Sequence, residues 1–187
     1  MILRDKKFIR FIFIFAAVFS LCYYGALLIT GIAVPGGSYS PFIEKYLNVA
    51  AWLRTSLMHG TKLLMSLLGT QSFRESDYVL RATGGEGIRL VYGCLGFGVM
   101  SFWSAYIAAT IAIIPKKIWW FVCGLFLIWT INLIRLSLVL QAQISGWHFP
   151  LGLGHHTWFN IAAYLAIFMM MYFFEKSIKT KQEVQEG

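Results

Sequence analysis

Two stretches of this chain, Phe11–Val34 and Tyr92–Ile114, run for 24 and 23 residues without a single charged side chain. A bilayer crossing takes about 20 apolar residues, so the chain reads as an integral membrane protein rather than a soluble enzyme. Composition agrees: of 187 residues, 58% are hydrophobic and 13% charged, against about 25% charged in a soluble domain. A formal charge of +8 would suggest nucleic acid in a soluble chain. Here the Lys and Arg residues sit mainly at the ends of apolar runs, where orientation in the membrane explains them, so membrane lipid is expected as a partner and nucleic acid is not.

Four spans are predicted, at about 11–33, 92–114, 118–140 and 157–174, within a single integral membrane domain covering residues 1–187. The expected fold class is all-α, a polytopic transmembrane helix bundle. Arg4, Lys6, Lys7 and Arg10 precede the first span, Pro115-Lys116-Lys117 joins the second to the third, and Lys176, Lys179 and Lys181 follow the last. Placing all three clusters in the cytoplasm makes this a multi-pass protein of the cell inner membrane with 34–91 and 141–156 outside. The first run is long and lacks a small-x-small cleavage site, which favours a retained span over a signal peptide.

Residues 42–70 are apolar yet carry Glu44, Lys45, Arg54, His59 and Lys62. They read as an external amphipathic helix, or as a re-entrant segment with an even number of crossings, which keeps the same sidedness. Residues 71–91 are polar. Gly84-Gly85 stands between Asp77-Tyr78-Val79-Leu80-Arg81 and Ile88-Arg89-Leu90-Val91, the pattern of a short external hairpin.

An ionisable side chain inside an apolar span is costly and is by default a functional candidate. Arg135, in Asn132-Leu133-Ile134-Arg135, is the candidate of the third span. Counting about 1.5 Å per residue outward from the cytoplasmic lysines puts Cys94 at ~33 Å, Arg135 at ~27 Å and His156 at ~30 Å. Three different spans thus bring a thiol, a guanidinium and an imidazole to one depth at the outer face. That set suits acyl transfer: Cys94 as nucleophile, His156 as the base that returns its proton to the leaving amine, and Arg135 as the donor for the oxyanion. Asn132 lies one turn before Arg135 on the same helical face, ready to hold the guanidinium or a substrate carbonyl. His155 is the alternative base. His156 is preferred because Asn160 stands one turn further along its face and is placed to orient the ring, whereas His155 points about 100° away. Cys22 and Cys123 lie within apolar runs and read as small core hydrophobes.

At these residues the sequence resembles the exosortase/archaeosortase family of membrane cysteine transpeptidases, and among them the short bacterial members. The resemblance rests on Gly93-Cys94-Leu95-Gly96 at the outer start of a span, Asn132-x-x-Arg135 near the outer end of the next, and His155-His156-Thr157-Trp158-Phe159-Asn160 opening the last. It covers roughly residues 90–170. It implies cleavage of a C-terminal sorting signal on exported proteins, consisting of a short motif, a transmembrane helix and a basic tail, followed by transfer to an acceptor the sequence does not identify. In that family the Cys is the nucleophile, and Arg and His complete the site.

The competing expectation is a non-catalytic membrane subunit of an export or polysaccharide assembly system, with Arg135 and the histidines structural. A metal site built on His59, His148, His155 and His156 is disfavoured, because there is no HExxH pattern and the spans that carry these histidines lack Glu. Bis-His haem is disfavoured too, since His148, His155 and His156 belong to one loop and helix start. Thiol acyl transfer needs no cofactor, and none is expected. Asp77, Glu86 and Arg89 read first as a solvated polar hairpin and second as substrate contacts. Trp147-His148-Phe149-Pro150 and Gly152-Leu153-Gly154 read as an outer loop facing the site.

Overall fold

The computed structural model describes residues 6–36, 38–146 and 155–186, with side chains over 6–36, 38–146 and 161–178. Six helices are formed: α1 (Lys6–Ile32), α2 (Pro41–Tyr46), α3 (Val49–Leu67), α4 (Phe97–Ala109), α5 (Ile114–Ser145) and α6 (His155–Glu186). Three strands, β1 (Ser72–Arg74), β2 (Val79–Ala82) and β3 (Gly87–Arg89), lie between α3 and α4. The chain is therefore mostly helical rather than all-α. By length and composition, α1, α5 and the stretch Ile161–Ile178 of α6 are apolar enough to cross a membrane.

Over the expected span 92–114 the helix is much shorter. α4 has 13 residues, about 20 Å, against a hydrocarbon core of ~30 Å. A three-residue 3-10 turn, Tyr92–Cys94, and a left-handed Gly96 precede it. The chain after Thr110 is extended until Ile113, where α5 begins with Pro115 in its first turn, a position that suits proline because the N–H it lacks has no partner there.

Aromatic pairs set α1 antiparallel to α4: Phe11 meets Tyr106 with ring centroids 6.3 Å apart and Phe15 meets Phe102 at 5.2 Å. α4 in turn runs antiparallel to α5, with Trp103 Nε1 donating to the Trp120 carbonyl at 3.2 Å. α6 returns along α5, through contact of Trp120 with Phe174. Gly124 is where the three helices cross, because a Cβ there would overlap the Trp103 indole and crowd Met170 Cε. Where α4 passes into α5, Lys117 Nζ donates to the Ala108 carbonyl at 2.8 Å and Lys116 Nζ to the Ser177 carbonyl. Ala108 lies in the last turn of α4, where positive charge is favoured.

The segment 42–70 forms α2 and α3, and α3 is packed into the molecule. Trp129 Nε1 donates to Ser56 Oγ at 3.0 Å, Gly60 sits under Leu133 and Trp129, and Thr70 Oγ1 reaches Gln141. These pairs run α3 parallel to α5 and carry it outward along that helix. Its buried face is Ala50, Arg54, Leu57, Met58, Thr61 and Met65, a spacing with helical period.

The small sheet has the order β1-β2-β3, all antiparallel. Its β2-β3 hairpin, turning at Gly84, is the one expected from Gly84-Gly85; β1 is the strand the pattern did not show. Pairing of Ser72 with Ala82 and of Leu80 with Ile88 puts Leu80, Ala82 and Ile88 on the buried face. They join Leu57, Leu90, Leu95 and Leu140 in one core. The outer face carries the exposed pairs Arg74–Asp77 and Arg81–Glu75, at 2.7 and 2.8 Å, each contributing at most about 1 kcal/mol.

Candidate active site

Cys94 ends the 3-10 turn that follows the sheet, and Leu95, its neighbour, is fully buried in the core beneath the hairpin. Gly96 then takes φ +81 and caps α4. A side chain at this position would face the left-handed strain of about 1–2 kcal/mol and come within 3.3 Å of Asn132 Nδ2. Glycine is what lets the chain turn into α4 at this close approach. Asn132, 5% exposed, uses the space: its Nδ2 donates to the Cys94 carbonyl at 3.0 Å. The expected partners of Asn132 were a guanidinium or a substrate carbonyl. Its amide is instead bonded to the backbone of the candidate nucleophile.

That bond fixes the depth of Cys94. Asn132 lies 15 residues beyond Lys117, or about 22 Å along α5, so Cys94 sits about 10 Å deeper than a continuous helix from Lys116 would put it. The count fails because residues 110–113 and 92–96 are not α-helix. Arg135 is one turn outward of Asn132 and half-buried.

A cavity of about 230 Å³ lies against this level, lined by Gly96, Val99, Asn132, Arg135, Ala162 and Ala163 among others. It joins the cap after Cys94, the Asn132–Arg135 face and α6. His155, His156 and Asn160 stand in the first turns of α6, and their side chains lie outside the described residues, as do 147–154. The antiparallel register fixed by Lys116–Ser177 and Gly124–Met170 continues to place the backbone of His156 opposite Leu138. That is six residues outward of Asn132, about 9 Å along the axis, with Arg135 between the two levels.

No family model, curated protein or solved structure matches this chain. The site therefore stands on its own geometry. The structure brings the Cys94 backbone to Asn132 and sets Asn132, Arg135 and Ala162–Ala163 of α6 around one cavity. It leaves Cys22 and Cys123 elsewhere, in α1 and α5. Asp77 is bonded to Arg74 on the outer sheet face, which fits the solvated reading of the hairpin.

The roles of two residues named in the sequence were not legible there. Gly96 carries the turn into α4, and its signal was the run Gly93, Gly96, Gly98. Arg54, 8% exposed, lies 4.1 Å from the centroid of the Tyr78 ring, and its Nε has no hydrogen-bond partner among the described residues. The Tyr78 carbonyl accepts from Leu90 N at 2.7 Å, so the cation–π contact braces the strand that leads to Cys94. The sequence had placed Arg54 among the polar residues of an amphipathic segment; its spacing with Leu57, Met58 and Thr61 was the available sign that it faces inward.

The Asn132 bond carries its own expected result. Asn132→Asp turns the donor into a carboxylate facing a carbonyl, and Asn132→Ala leaves that carbonyl without this donor, a loss of about 1–3 kcal/mol. In purified protein this reads as a Tm lower by roughly 3–10 °C, larger for Asp than for Ala. An Asp variant as stable as the unmodified protein would show that the amide does not hold the Cys94 turn.

Proposed function

We propose that the chain is a membrane cysteine transpeptidase of the exosortase/archaeosortase type. It cleaves the C-terminal sorting signal of exported proteins and passes the cleaved protein to an acceptor. The observation that carries this reading is the bond from Asn132 to the Cys94 carbonyl beside a cavity lined by Gly96, Asn132, Arg135 and Ala162–Ala163 of α6. The three basic clusters supply the sidedness: a multi-pass protein of the cell inner membrane with its site toward the outer face and both termini in the cytoplasm.

The chemistry proceeds in two halves. Cys94, as thiolate, attacks the scissile carbonyl carbon; the C–N bond breaks, and a thioester joins Cys94 to the N-terminal part of the substrate. Arg135 stabilises the oxyanion, and its planar fork stays charged while partly desolvated. His156 takes the thiol proton and gives it to the leaving amine. An acceptor nucleophile, or water, then attacks the thioester and restores the thiol. The axial offset of about 9 Å between the Cys94 and His156 levels means that in this reading the proton path closes on substrate binding.

The testing experiment is to trap the intermediate. In protein with His156 intact, given a substrate bearing a C-terminal helix and basic tail while the acceptor is withheld, a covalent adduct at Cys94 accumulates, is released by hydroxylamine, and contains the substrate's N-terminal part. Processing without any adduct, unaffected by loss of Cys94, would move the chain to the non-catalytic subunit class.

A further inference from the structure

Where α4 passes into α5, side chains from α1, α4 and α6 surround a cup of about 280 Å³ that shares no lining residue with the cavity beside Asn132. Lys7 and Arg10 of α1 stand three residues apart, on one helical face. Glu175 of α6 joins them, and Phe11, Thr110 and Ile111 are part of the lining. The base of the cup is closed, because buried Tyr106 packs on buried Phe174 with ring centroids 6.0 Å apart.

The charges around this cup do not balance. Glu175 is the one acid among the lining residues, and its Oε1 accepts from the Tyr106 hydroxyl at 2.8 Å. Against it stand Lys7 and Arg10, with Lys117 near enough to Arg10 for the two charges to repel. Lys116 and Lys117 are held at this end by the carbonyls of Ser177 and Ala108, which fix the ammonium groups without neutralising them. Arg10 forms no ion pair among the described residues. Like charges that a fold holds together are stabilised by an anion between them.

We propose that the cup binds the phosphate of an anionic phospholipid headgroup. Arg10 offers a planar fork that pairs with phosphate oxygens, and Lys117 a point charge beside it. A lipid fits better than a free ion because apolar groups adjoin the charges. Phe11 lies in the lining and Ile111 there is 65% exposed; a glycerol backbone and its first methylenes would cover both, and an inorganic ion would leave them bare. The excess of cations over carboxylate sets the headgroup preference, since a zwitterionic lipid would bring its ammonium against Lys7 and Lys117. A lipid seated here ties α1 to the junction of α4 and α5. The inference concerns a site separate from Cys94 and does not rest on the transpeptidase reading.

The test is native mass spectrometry of the full-length protein, released from neutral detergent micelles holding equal amounts of phosphatidylglycerol and phosphatidylcholine. Phosphatidylglycerol should be retained about fivefold over phosphatidylcholine, the worth of one cation near an anionic lipid. Arg10→Gln should lower the retained phosphatidylglycerol by the same factor of about five, and Arg10→Lys, which keeps the charge, by less. Lys45→Gln removes an exposed cation on α2 and should change it by less than about twofold. An excess of inorganic phosphate should leave the lipid in place. Equal retention of the two lipids, or equal losses in Arg10→Gln and Lys45→Gln, would overturn the site. Displacement by inorganic phosphate would assign the cup to a free anion and overturn the lipid.

Discussion

On the transpeptidase proposal, Cys94→Ser should abolish processing, lowering the rate by at least about 10³-fold, the order of loss seen when a covalent nucleophile is removed. The hydroxyl is almost the same size as the thiol, so the turn and its Asn132 bond are kept and the protein inserts normally. What is lost is acidity: a Cys thiol ionises near pH 8.5 and is readily activated, whereas a Ser hydroxyl needs a base matched to a far weaker acid. Cys22→Ala and Cys123→Ala serve as controls, since both lie outside the site, and each should process within about twofold of the unmodified protein. The measurement is substrate conversion in cells lacking any related enzyme. Full conversion by the Ser variant would remove the covalent mechanism.

Gly124→Ala should produce the largest change in stability. At that position α4, α5 and α6 approach so closely that a methyl group meets the Trp103 indole and Met170 Cε. Trp103 is fully buried and tied by its N–H to the Trp120 carbonyl, so it cannot turn away without losing a bond. Helices in membranes depend on small residues for such approaches, and overpacking costs about 1–3 kcal/mol. Thermal unfolding in detergent should shift down by roughly 3–10 °C, and Gly124→Val further. Gly25→Ala and Gly31→Ala on α1, where an added Cβ meets nothing within 4 Å, should not lower Tm. Equal effects at all three glycines would mean the crossing is not as close as described.

Hydropathy identified α1, α5 and the apolar part of α6, because each is a long, strongly apolar run and no strand of a small domain is that long. Gly84-Gly85 marked the β2-β3 hairpin. The same measure failed for α4: Tyr92–Ile114 is apolar throughout, yet only Phe97–Ala109 is α-helix. Apolarity reports burial, and Leu95 is buried by protein in a turn just as a helical residue is buried by lipid. β1 is three residues, too short for a periodicity to announce it, although it pairs locally with Val79–Ala82. Of the site, Asn132 and Arg135 were legible as one face of one helix. Their relation to Cys94 was not, because it depends on a left-handed glycine and on a side chain that bonds a distant backbone.

The pair Lys116–Ser177 acts as a datum for height. Ser177 lies 21 residues from His156 along α6, about 32 Å of rigid rod. Whatever the first turn of α6 presents to Cys94 and Arg135 is levelled from the opposite end of the molecule, by a lysine ammonium held on a helix carbonyl. A single residue inserted anywhere between would raise that first turn by ~1.5 Å and swing it by ~100°, so the alignment of one end of the bundle is set at the other.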